Sequence, residues 1–178
     1  MMRNLLRIAA GLLVVFVILF FGITYQVREG NKAVITRFGR PVEVVHEAGL
    51  GWKWPVPFEY AVQIDARRRV FDTRHIEMLT RDKKNVILLS YAVWSVDDPL
   101  KFYQSVGTVS AAEAKLDGLI TNHKISVLGK YDLSALVSVN KENLKVDAIE
   151  DEILESVVEQ AREKYGINVE QVGFKRLS

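Results

Sequence analysis

Three histidines, His46, His75 and His123, are the side chains best suited to proton transfer or metal ligation near neutral pH, and each stands far from the others. None falls in an H-E-x-x-H or similar spacing. The chain contains no cysteine, so a zinc site would have to draw carboxylates from several distant elements. Gly49-Leu50-Gly51 opens like a dinucleotide loop, but no third glycine follows, and Trp52-Lys53-Trp54-Pro55 cannot begin a phosphate-binding helix. No serine sits in a G-x-S-x-G elbow. Asp97-Asp98 offers a carboxylate pair, but a turn with a helix cap explains it far better. The residues therefore assign no catalytic group, no cofactor site and no metal ligand, and the chain reads as a non-enzyme.

One segment stands apart physically. Residues 49–58 pack two tryptophans, one phenylalanine, two prolines and two glycines into ten positions. Such a stretch can be neither a helix nor a central strand. It folds back on its own core or presents apolar bulk to something else. Trp52, Trp54 and Phe58 are the candidate membrane-contact residues: two indoles on a proline-stiffened turn, with Lys53 between them to meet phosphate, suit a surface apolar at one end and wet at the other. Core packing is the equal alternative.

The elements that must position this segment begin with residues 5–25, LLRIAAGLLVVFVILFFGITY, which carry no charged side chain from Ile8 to Ile23. About 20 residues at ~1.5 Å rise span ~30 Å, the thickness of a bilayer's hydrocarbon core. Residues 1–25 are thus expected to be an N-terminal transmembrane anchor. A cleaved signal peptide is the rival, with Arg3 and Arg7 as its basic start. However, the apolar run is long for that role and no A-x-A-like site follows, Gly22-Ile23-Thr24 being a poor substitute. Arg3 and Arg7 precede the run, while Arg28, Lys32, Arg37 and Arg40 follow it beside Glu29. The count slightly favours a cytoplasmic domain, but large domains translocate regardless of charge, so charge leaves orientation open.

After the anchor, about 150 residues are enough for one good core or two subdomains. With 24 basic and 22 acidic residues the net charge is +2, which gives no electrostatic case for nucleic acid. Basic residues predominate over 26–84, including Arg67-Arg68-Arg69, and acidic ones over 141–165, around Glu150-Asp151-Glu152. These are solvated faces or, alternatively, opposite ends suited to packing in an oligomer.

Alternation predicts strands over 32–38, 60–65, 69–73 and 76–80, with turns at Gly39-Arg40-Pro41 and at 81–85. Residues 85–96, NVILLSYAVWSV, are apolar on both alternating faces, which predicts a central strand covered on both sides. Asp98-Pro99 starts one helix. Ser110 starts a second by its spacing to Glu113, running toward Val127. A third covers 141–165, where Ile149, Ile153, Val157 and Ala161 recur at i+4 and Gly166 ends it. A last strand follows over 167–176. Strands, then helices, then one returning strand make the fold class α+β.

Several segments, in order, resemble the SPFH or band 7 family (stomatin, prohibitin, flotillin, HflK and HflC), its bacterial HflC-like members in particular. Residues 27–40, VREGNKAVITRFGR, are similar to the family's opening strand, V-x-E-G-x-x-(A/G)-(V/I)-x-x-(R/T)-F-G-(R/K). Residues 47–55 resemble its E-P-G-L-H-F-K-x-P turn, with Ala48 where the pattern has proline. Val62-Gln63-Ile64-Asp65-Ala66-Arg67, Thr80-Arg81-Asp82-Lys83-Lys84-Asn85-Val86 and Tyr165-Gly166-Ile167-Asn168-Val169 match later motifs. The resemblance implies an SPFH domain after the anchor, with a strand-rich membrane-proximal subdomain over 26–84 and a helix-plus-strand subdomain over 85–178. It also implies a scaffold in the inner membrane, N-terminus cytoplasmic and domain periplasmic, that oligomerises with an HflK-like partner around the AAA protease FtsH. A stomatin-like organiser of lipid microdomains is the alternative, and a membrane-anchored hydrolase a remote one. Family members continue into a long Ala/Glu-rich coiled-coil helix. No such helix precedes Ser178, so the chain is expected to be a fragment or the ordered part of a longer protein.

Overall fold

The computed structural model describes residues 11, 13, 22–138 and 144–177. The expected anchor lies almost wholly outside them, and among the described residues no helix is long and apolar enough to cross a membrane. The chain divides into two compact units, Met1–Ala66 and Arg67–Ser178.

The first unit is built of strands: β1 (Thr24–Val27), β2 (Asn31–Arg37), β3 (Arg40–Val45), β4 (Gly49–Trp52) and β5 (Glu59–Asp65). β2 runs antiparallel between β3 and β5, and β1 pairs antiparallel with β4. Ala33, Val34 and Ile35 are buried on the central strand, as its apolar run requires. The β2–β3 connection is a two-residue turn at Phe38 and Gly39, both with positive φ (50° and 80°). That geometry matches the twist of the flanking strands. Arg40 and Pro41, expected within the turn, already belong to β3. β4 is an edge strand, consistent with a composition that no central strand tolerates.

In the second unit β8 (Asn85–Val96) is central, with β6 (Arg69–Asp72) and β7 (Glu77–Leu79) along one edge and β9 (Ile167–Leu177) along the other, all antiparallel. This pairing draws residues 67–84 into the second unit, whereas the sequence motifs divided the subdomains at 84/85. Helices α1 (Pro99–Ser105), α2 (Val109–Leu128) and α3 (Val146–Tyr165) intervene, with a 3-10 turn at Leu133–Ala135.

The helices cover only one face of β8. Val86, Leu88, Ala92, Trp94 and Val96 are buried, while Ile87 on the other face is 42% exposed and Leu89, Tyr91 and Val93 are half-buried. The expected two-sided cover is therefore corrected to a two-layer arrangement. Asp98 caps α1 as read, its Oδ1 accepting from the Lys101 N–H at 3.0 Å. α2 starts earlier than Ser110, because Thr108 is its cap and accepts from the Ala111 N–H at 3.2 Å. α3 starts at Val146 rather than 141; residues 139–143 lie outside the described ones. Its stripe Ile149, Ile153, Val157 and Ala161 is wholly buried. Gly166 ends it with φ 65°, and a Cβ there would lie 2.5 Å from the Asp98 carbonyl oxygen, so both conformation and space require glycine.

Candidate functional site

The aromatic segment emerges from edge strand β4, and its rings face outward. Trp52 is 68% exposed, Trp54 64% and Phe58 48%. Core packing of the indoles, held open by the sequence, is not what the structure adopts. Phe38, at the exposed β2–β3 turn, meets Phe58 edge-on with ring centroids 5.9 Å apart.

Exposed apolar side chains keep a fixed presentation only if the backbone beneath them is tied down. The Lys53 N–H donates to the Ile23 carbonyl at 2.7 Å, and Lys53 Nζ to the Gly22 carbonyl at 3.1 Å. The loop is thus fastened to the residues in which the apolar N-terminal run ends. A second tie comes from Glu59, the buried first residue of β5. Its Oε2 accepts the Trp54 N–H at 2.8 Å, and its Oε1 accepts Arg37 Nε at 2.9 Å and Nη2 at 2.6 Å. Cross-strand register places Arg37 opposite Glu59. The Trp54 N–H first, and Arg37 second, hold the Glu59 carboxyl below the usual carboxylate range. Between loop and sheet lies an open concavity of about 610 Å³, lined by Ile23, Arg37, Glu43, Trp52, Lys53, Trp54, Pro55, Phe58 and Glu59.

The other chemistry-bearing residues are not assembled into a site. His46 and His75 are exposed on different units, and His123 Nε2 lies 3.2 Å from Gln160 Nε2. Among the described residues no group of three or more His, Cys, Asp or Glu could hold a metal ion. Asp97 pairs with Arg162 at 3.0 Å while Asp98 caps α1.

Lys124 is the residue that sequence reading passed over. It is wholly buried, and its Nζ donates to Ser90 Oγ at 2.8 Å and Thr73 Oγ1 at 3.0 Å. An amine beside a serine hydroxyl can activate a nucleophile, but Ser90 is also wholly buried, so no substrate reaches it. Burial pushes the amine below the usual lysine range, against the opposing pull of Asp117. A signal did exist: Ala112, Leu116, Ile120, Lys124 and Leu128 form an i+4 stripe, and a lysine in such a stripe must either be buried or interrupt it. Glu59 carried no comparable signal, since its partner is set by the β2–β5 register.

The family model for the SPFH domain / Band 7 family matches residues 25–178. The chain belongs to that family. Its match begins where the apolar run ends, so the aromatic loop and the Glu59 clamp are parts of the SPFH domain itself. The chain is similar to the protein HflC of Vibrio parahaemolyticus, 30% identical over 167 residues covering 88% of this chain and 51% of that protein. It is similar also to the modulator of FtsH protease HflC of Escherichia coli K12, 28% identical over 149 residues, 79% of this chain and 44% of that protein. Protein HflC of Buchnera aphidicola from Acyrthosiphon pisum is 27% identical over 133 residues, 70% and 43% of the two chains. The chain spans about half the length of the curated relatives it matches.

Proposed function

We propose that this SPFH protein is a non-enzymatic, membrane-anchored scaffold of the HflC type that assembles with an HflK-like partner and restrains an FtsH-type membrane protease. The observation that carries the reading is the ordered SPFH match over residues 25–178 directly behind an uncharged apolar run, together with relatives of which one is named a modulator of that protease. In this reading the apolar run, which gives way to β1 at Thr24, spans the inner membrane once with the N-terminus cytoplasmic. The strand-rich subdomain that follows, ending at Ala66 rather than at residue 84, is the membrane-proximal one, the SPFH domain is periplasmic, and Trp52, Trp54 and Phe58 contact the bilayer surface. The two bonds from Lys53 to Gly22 and Ile23 support that contact, because they keep the tryptophans beside the end of the apolar run.

Affinity purification of the tagged full-length protein from detergent-solubilised membranes tests the assembly. Recovery of an FtsH-type protease and an HflK-like protein is expected; recovery of lipid with neither protein would move the assignment to a stomatin-like lipid organiser. The anchor is tested separately by Val15→Arg, since arginine at mid-bilayer costs about 2.5–3.5 kcal/mol on insertion scales. Membrane fractionation should show weakened insertion.

A further inference from the structure

The concavity beside the aromatic loop has a charge pattern that membrane contact alone does not require. Its lining holds two cations, Arg37 and Lys53, and two anions, Glu43 and Glu59. Arg37 and Glu59 neutralise each other through the bonds at 2.6 and 2.9 Å. One charge of each sign is left. Lys53 spends one N–H on the Gly22 carbonyl and keeps two for an incoming oxygen. Glu43 presents an exposed carboxylate from β3. The walls are the indoles of Trp52 and Trp54, whose faces attract cations.

We propose that this concavity is a headgroup site for a zwitterionic phospholipid bearing a primary amine, with Lys53 meeting the phosphate and Glu43 and the indoles meeting the ammonium. The inference rests on the reading that the loop meets the bilayer. An anionic headgroup without an amine, such as a glycerol headgroup, would place Glu43 beside a ligand with no positive charge to offer it. A quaternary ammonium would satisfy the indoles but has no N–H for the carboxylate. A primary amine satisfies both, and the phosphate, two carbons along the ethanolamine-type headgroup, satisfies the lysine.

The test uses the full-length protein, delipidated in mild detergent and titrated with short-chain phospholipids of identical acyl chains and ethanolamine, choline or glycerol headgroups. The readout is tryptophan emission. Of the three tryptophans, Trp94 is wholly buried in the second unit, so the lipid response reports Trp52 and Trp54. The ethanolamine lipid is expected to saturate the response at roughly fivefold lower concentration than either of the others, the size of one exposed ion pair. Glu43→Gln should erase that margin while leaving circular dichroism unchanged. Equal titration by all three lipids, preference for the glycerol headgroup, or a margin that survives Glu43→Gln would overturn the headgroup site while leaving bilayer contact standing. Emission that ignores every lipid would overturn both.

Discussion

Trp52 and Trp54 of the first unit stand in the open, whereas Trp94 of the second is wholly buried and stacks on Phe102 with ring centroids 6.4 Å apart. Two buried charged groups, Glu59 and Lys124, differ in the same sense. Glu59 spends its bonds on the backbone of an exposed loop and on Arg37. Lys124 spends its bonds on two hydroxyls, Thr73 and Ser90, that are themselves buried. The Glu59 clamp serves a surface; the Lys124 clamp serves a core. Aromatic content therefore does not by itself tell an exposed segment from a core in this chain.

The strongest way to break this contrast is to truncate a tryptophan on each side of it. Trp94→Ala should cost about 3–5 kcal/mol, read by chemical denaturation of the second unit. A loss below about 1 kcal/mol would mean that the two units do not differ as described. Gly166→Ala comes next. It forces a side chain into a left-handed conformation and against the Asp98 carbonyl, and about 1–3 kcal/mol is expected.

Lys124→Met sharpens the contrast through pH. With the folded amine held below the ordinary lysine value of ~10.4, the unfolded chain binds a proton that the folded chain lacks between those two values. Stability thus rises with pH across that window and falls as pH drops toward the folded value. The methionine variant should flatten that slope and change neutral-pH stability by about 1 kcal/mol or less; denaturation at several pH values measures both.

Glu59 has the opposite sign. Its depressed carboxyl holds the loop at every pH above the ordinary glutamate value of ~4.3, and the hold weakens as pH falls through the folded value. The protection factor of the Trp54 amide, measured against intrinsic exchange at each pH, should fall in acid, and it should fall at neutral pH in Glu59→Gln with the second unit unaffected. The smallest effect on stability belongs to the Trp52→Ala/Trp54→Ala pair, within about 0.5 kcal/mol as expected of exposed positions. Its thermal midpoint should stay in place while the lipid response of the emission disappears. An unfolded double variant would return the indoles to a structural role.

Local pattern alone determined much of this molecule. The β8 strand over 85–96, the Asp98 cap, the Ile149-Ile153-Val157-Ala161 stripe and the Gly166 stop all follow from periods of 2 and 3.6 residues and from terminal backbone groups that need a partner. The composition of residues 49–58 singled out the segment that the structure exposes. Partnership at a distance was not legible. β1 finding β4, Lys53 finding Gly22 and Ile23, Arg37 finding Glu59, and Lys124 finding Thr73 and Ser90 each join residues more than twenty positions apart. The one-sided cover of β8 belongs with them, because apolar alternation states what a face prefers and only the packed helices decide which face is covered. Whether Trp52 and Trp54 turned inward or outward was decided the same way: by an edge-strand pairing and a buried carboxylate that hold their backbone, not by the hydrophobicity of the rings.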